Sequence, residues 1–192
     1  WQSVALLQDE QVLALLEQDA EGSHARSLMG VIDRLLRGAG VSLKDLQALA
    51  VSIGPGSFTG LRVGLATMLG FRAVLGTPIV TVPTLEAMAW NLRDVKGLLV
   101  PVLKSRHNEV YWAVYEWLPE TGLRTHIAEQ VGPPAPVARA LQGAKAATLF
   151  GDGWQAYESG IREAVEAVGG QVREVSPEQQ RPSAVSVGLA GR

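Results

Sequence analysis

The chain has 192 residues, 47% of them hydrophobic and 19% charged, enough for a sizeable core in one large or two small domains and unlike a disordered or fibrous protein. Seventeen Lys and Arg against nineteen Asp and Glu leave a formal charge of -2, so no overall field draws the chain to nucleic acid. The absence of cysteine excludes disulfides, thiolate catalysis and Cys-ligated zinc; the longest apolar runs read as too short and too interrupted by Gly, Arg and Thr to cross a membrane.

The chain opens without Met, directly in an alternating pattern. "SVALL", "QDEQ" and "VLALLEQ" read as a hairpin. Leu28, Val31, Ile32, Leu35 and Leu36 then recur at helical spacing and predict a helix over about 24–38, with Ser23 near its start and Gly38 and Gly40 near its stop. "SLKDL" is one short turn and "ALAVSI" a buried strand ending at Gly54. A second long helix runs from Thr59 to about Leu75, "PIVTVP" is a strand, and "TLEAMAWNL" starts a third helix at Pro83 or Thr84. From "LLVPVL" the pattern changes to strands, with "NEVYWAVYEW" and "LRTHIAEQV" completing a meander, so a domain boundary is expected near residue 98. "PPAPVARALQG" predicts a helix, "AATLF" a strand, "QAYESGIREAVEAVGG" a helix, and the tail one more helical or extended segment. The whole reads as α/β or α+β.

"GPGSFTG", Gly54 to Gly60, raises the question of a phosphate loop. A mononucleotide loop needs a Lys beside a Ser or Thr, and a dinucleotide fingerprint needs G-x-G-x-x-G; this turn has neither. Its glycines serve turn geometry or a weak anion site at the helix amides. Gly60 and Gly64, four apart, clear one helix face, continued by Thr67 or Met68, which suits close packing either within the domain or against a partner. Elsewhere the chemistry is sparse. His24, His107 and His126 form no metal pair, Leu28 standing where a second histidine after His24 would be. Asp152 in "GDGW" suits a turn cap or magnesium, and Ser57, His24 and Asp33 show no triad spacing.

Residues 48–89, "ALAVSIGPGSFTGLRVGLATMLGFRAVLGTPIVTVPTLEAMA", resemble the signature region of the bacterial TsaB family of tRNA threonylcarbamoyladenosine biosynthesis proteins, also called YeaZ. "SVALL", "SHARSLMGVIDRLL", "NEVYWAVYEW" and "GDGW" resemble further family segments in the same order. The resemblance implies an actin-like, sugar-kinase and Hsp70-like fold of two lobes, here 1–98 and 99–192. The first strand is expected to lie upstream, a C-terminal helix to join the first lobe, and the end to be short for the family.

The resemblance further implies a cytoplasmic, non-catalytic subunit without cofactor or metal. Its implied partners are TsaD, TsaE docking on that pair, tRNA through the complex, and a second copy when isolated. The product is threonylcarbamoyl-adenosine next to the anticodon of ANN-decoding tRNAs. The implied partner interface comprises His24, Leu28, Ile32, Leu35, Phe58, Thr59, Gly60, Gly64, Thr67 and Met68. One departure stands out: Lys104, Ser105 and Arg106 replace an Asp-Ala-Arg-like segment, with Arg106 matching the arginine and Lys104 reversing a charge. The competing readings are a stand-alone ATP-dependent transferase or kinase and a glycoprotease-like peptidase.

Overall fold

The computed structural model describes residues 1–19, 24–144, 146–167 and 169–192, with the side chains of 24–27 outside that description. The chain forms two compact units, Trp1–Ala87 with Pro182–Arg192, and Met88–Arg181. The division therefore falls inside the third helix rather than at residue 98.

In the first unit, β1 (Gln2–Gln8) and β2 (Gln11–Gln18) form an antiparallel hairpin, with a register shift between Leu6 and Leu7. β3 (Leu49–Ser52) pairs in parallel with β4 (Ile79–Val82) as a separate two-stranded sheet. Successive side chains of a strand point to opposite faces, and β1 shows the consequence. Val4 and Leu6 join Ile32, Leu35 and Leu36 of α1 (His24–Ala39) and Met68 and Phe71 of α2 (Phe58–Leu75) in one cluster. Ser3 and Leu7 meet α6 (Ala184–Ala190) instead. The Ser3 hydroxyl accepts from the Ala184 amide at 2.9 Å, and Leu7 Cδ1 lies 3.0 Å from where a Cβ on Gly188 would stand. Val187 and Ala190 of α6 also pack with Val80, Val82 and Ala87. The tail helix thus belongs to the first unit because its small and branched residues fit a sheet face that α1 and α2 leave open.

The second unit holds a five-stranded sheet in the order β7-β6-β5-β8-β9. Its strands are β5 (Leu98–Lys104), β6 (Val110–Leu118), β7 (Gly122–Gly132), β8 (Ala146–Phe150) and β9 (Gln171–Arg173). β5, β6 and β7 are antiparallel neighbours, whereas β8 and β9 add in parallel. β5 is buried from Leu99 to Leu103, as a central strand with two covered faces should be. α4 (Ala135–Ala140) and α5 (Asp152–Glu166) cover one face, where Val100, Val102, Trp112, Val137, Leu141, Leu149, Trp154 and Ile161 form the core. Trp90, at the end of α3 (Thr84–Trp90), meets Trp117 edge-on at 4.7 Å, which explains why the second half of α3 goes with this unit. β9 has no counterpart among the expected elements, since three residues are too few for a readable alternation.

Candidate interface on the second helix

The turn 54–60 is built by its neighbours. Gly54 has φ +109, and a Cβ there would stand 3.1 Å from Leu61 Cδ1, so the glycine is required by backbone conformation and by packing. Its carbonyl accepts from the Thr84 amide at 2.7 Å, while the Ser52 and Thr84 hydroxyls share a 2.6 Å hydrogen bond, which ties the turn to the start of α3. Ser57 then caps α2, its hydroxyl accepting from the Gly60 amide at 3.3 Å and its carbonyl from Leu61 at 2.8 Å. The turn launches a helix at a defined angle from β3.

α2 is unusual. Over 18 residues with a mean hydropathy of 1.3, it has no buried residue. By length and composition it is apolar enough to cross a membrane, contrary to the expectation from the broken runs, because Gly, Ala and Thr interrupt the apolar letters without interrupting the helix. It nonetheless packs along one side on α1, β3 and β4. With 3.6 residues per turn, Gly60, Gly64, Thr67, Met68 and Phe71 share one arc, and Phe58, Arg62, Leu65 and Leu69 share the opposite one. The first arc faces inward and is half-buried: a Cβ on Gly64 would lie 3.7 Å from Val51 Cγ2 of β3, and Met68 and Phe71 reach the α1 cluster. The second faces out, with Phe58 67%, Leu65 37% and Leu69 50% exposed. Arg62 sits over the Phe58 ring at 3.8 Å.

The expected interface residues fall at different depths in the lobe. Ile32 and Leu35 are buried in their own lobe, at 7% and 4% exposure, and Leu28 packs on the same cluster, because they are the inward stripe of an amphipathic α1. Gly60, Gly64, Thr67 and Met68 are half-buried, with Gly64 against Val51 of β3 and Met68 on the α1 cluster. Phe58 and Thr59 are exposed. His24 begins α1, but its side chain, like Ser23, lies outside the described residues. The outward residues Arg62, Leu65 and Leu69 were not anticipated, although their i, i+4, i+7, i+11 spacing from Phe58 is visible in the sequence; with apolar residues all round the helix, the pattern alone did not say which arc faces out.

Gly64→Leu should therefore act on folding, lifting α2 off β3 at a cost of roughly 1 to 3 kcal/mol. Gly64→Ala should be tolerated, since 3.7 Å is ordinary contact. Thermal unfolding beside partner affinity checks this: Gly64→Leu lowers the melting temperature while the folded fraction keeps its affinity.

The remaining polar candidates have local roles. Asp33 pairs with Arg37 at 2.9 Å, and the Asp152 carboxylate accepts from the Lys104 amide at 2.9 Å, joining α5 to the end of β5. Lys104, Arg106 and His107 are exposed around that turn. No group of three His, Cys, Asp or Glu that could hold a metal occurs among the described residues. Glu86, in the first turn of α3, has its carboxyl held above the ordinary value by burial. A folded pKa above the unfolded one means that the native state holds the proton more tightly. The penalty is therefore absent below about pH 4 and grows as pH rises through the folded pKa. Glu86→Gln should raise the melting temperature at pH 7 and leave it unchanged near pH 3.5, provided both proteins are folded there.

Residues 16–175 match a family model described as tRNA N6-adenosine threonylcarbamoyltransferase. The tRNA threonylcarbamoyladenosine biosynthesis protein TsaB of Escherichia coli (strain K12) is 34% identical over 169 residues, covering 83% of this chain and 72% of that protein. The chain belongs to the TsaB family. TsaB of Bacillus subtilis (strain 168) is 31% identical over 130 residues, 68% of this chain and 54% of the relative, so the chain spans just over half the length of that protein. YeaZ from Pseudomonas aeruginosa superposes with a TM-score of 0.77 at 27% identity, covering 98% of this chain and 84% of that one. The two-lobed α/β architecture is thus that of a TsaB, with the actin-like type of fold. A second structure with the same score is described as similar to peptidase YeaZ. In this TsaB-family chain, Ser57 caps α2 and Asp33 pairs with Arg37.

Proposed function

We propose that this chain is a non-catalytic scaffold subunit that binds and activates a TsaD homologue, for the formation of N6-threonylcarbamoyladenosine next to the anticodon of ANN-decoding tRNAs. The observation that carries the reading is α2: a fully formed 18-residue helix of mean hydropathy 1.3, with no buried residue, exposes on a folded lobe apolar side chains that water disfavours. Covering Phe58, Leu65 and Leu69 would contribute roughly 1.5 to 3 kcal/mol for each side chain taken fully from water. The names of the TsaB relatives point to the pathway, and the interface reading, moved to the outer arc of α2 with Phe58 retained, says how the subunit takes part.

In this reading the chain works in the cytoplasm, a TsaE homologue docks on the assembled pair, tRNA is met through the complex, and a second copy covers α2 when TsaD is absent. The turn at Gly54–Gly60 lacks a phosphate-loop lysine, so the chain alone should neither turn over nor tightly bind ATP. The test is co-purification with the organism's TsaD homologue, with calorimetry for ATP on the isolated chain. A stoichiometric complex and a flat titration are expected. ATP turnover that follows the chain through purification would favour the stand-alone enzyme.

A further inference from the structure

Arg62 and Arg72 bracket Leu65 and Leu69 on α2, ten residues and about 15 Å apart along the helix. Both arginines are exposed, and α2 holds no Asp or Glu. Among the described residues, neither guanidinium has a carboxylate at ion-pair distance. Three other arginines carry ion pairs, Arg37 with Asp33, Arg162 with Glu158 and Glu174, and Arg192 with Glu10. The outer arc of α2 is thus an apolar strip with a positive charge toward each end that no carboxylate among the described residues meets.

We infer that the surface docking on this arc is an apolar strip of the TsaD homologue flanked by two carboxylates about 15 Å apart, one meeting Arg62 and the other Arg72. The inference rests on the assignment of α2 as the docking face. Taking a guanidinium from water without a counter-charge is costly, so a partner that covers Leu65 and Leu69 closely must supply acids at both ends. The α2 of a second copy brings further arginines and no acid, so contact through this helix favours the different chain over self-pairing. An RNA backbone would answer the arginines but would leave the two leucines facing phosphates and sugars. An anionic lipid surface would suit both kinds of group, and is separated by experiment.

The experiment titrates the TsaD homologue with the wild-type chain, R62E/R72E and R62K/R72K at low and high salt, with thermal unfolding of each. In parallel, the chain is sedimented with vesicles of phosphatidylcholine and phosphatidylserine. Wild-type affinity should fall as salt rises, R62E/R72E should bind about tenfold to hundredfold more weakly and lose most of that salt dependence, and R62K/R72K should stay close to wild type. The chain should remain in the vesicle supernatant. Wild-type binding that R62E/R72E leaves unchanged, or that is indifferent to salt, overturns the charge match and leaves the docking assignment standing. No binding by the wild type overturns both, and vesicle binding abolished by R62E/R72E overturns the inference in favour of a membrane surface.

Discussion

Gly151→Ala should destabilise the second unit by roughly 2 to 6 kcal/mol, combining backbone strain with overpacking. Gly151 has φ +110 and ψ 168, a conformation that L side chains rarely adopt, and a Cβ there would collide with the Val102 carbonyl of β5. Its neighbour Gly153 is as constrained, with Leu103 carbonyl carbon 2.7 Å from the position a Cβ would take. Between them Asp152 holds the Lys104 amide, and the Gly151 amide donates to Gln180 Oε1 at 2.6 Å. The "GDGW" turn is therefore where α5 meets the backbone of the central strand, and Trp154 follows into the core. Four of the five tryptophans, Trp90, Trp112, Trp117 and Trp154, lie in this unit and Trp1 in the first, so tryptophan fluorescence during chemical unfolding of a Trp1→Phe background reports it directly. Gly160→Ala in α5, with nothing within 4 Å of the new methyl, should instead be neutral or stabilise by a few tenths to one kcal/mol. A Gly151→Ala midpoint equal to wild type would contradict the packing described.

The second large effect is expected on binding. Leu65→Asp with Leu69→Asp should weaken association with the TsaD homologue by at least about a hundredfold, because two carboxylates would be taken from water at the centre of the contact. Both side chains already face solvent, so the melting temperature should stay within about two degrees of wild type, as is usual for surface changes. A comparable loss of stability would instead place these leucines in the lobe's own packing.

Much of the fold could be read from periodicity, and the reason for each failure is physical. The hairpin, α1 and the three-strand meander carry clear two-fold or 3.6-fold patterns, and α2 shows as a long apolar helix without a marked face. β9 pairs over only three residues with β8, too short to leave a pattern, and the lobe boundary moved because α3 is shared, its last aromatic serving the second unit. The site was half legible. Glycines four apart mark a face where something approaches closely, but they do not say what; here it is Val51 of the same chain. Apolar residues on the opposite arc were equally visible, and exposure alone distinguishes them. In the same way Ile32 and Leu35 read correctly as one stripe of α1, whose destination, the lobe interior, depends on β1.

In the proposed function this chain acts by docking on a TsaD homologue rather than by chemistry of its own. The most direct measurement is threonylcarbamoyl transfer to an ANN-decoding tRNA by the organism's reconstituted TsaD and TsaE homologues, supplied with the threonylcarbamoyl adenylate and ATP. It is run with no addition, with the wild-type chain, and with the Leu65→Asp, Leu69→Asp variant. Transfer that appears only with the wild-type chain, and falls to the level of no addition with the variant, is the predicted result. Transfer that is equally fast without the chain, or undiminished with the variant, would contradict it.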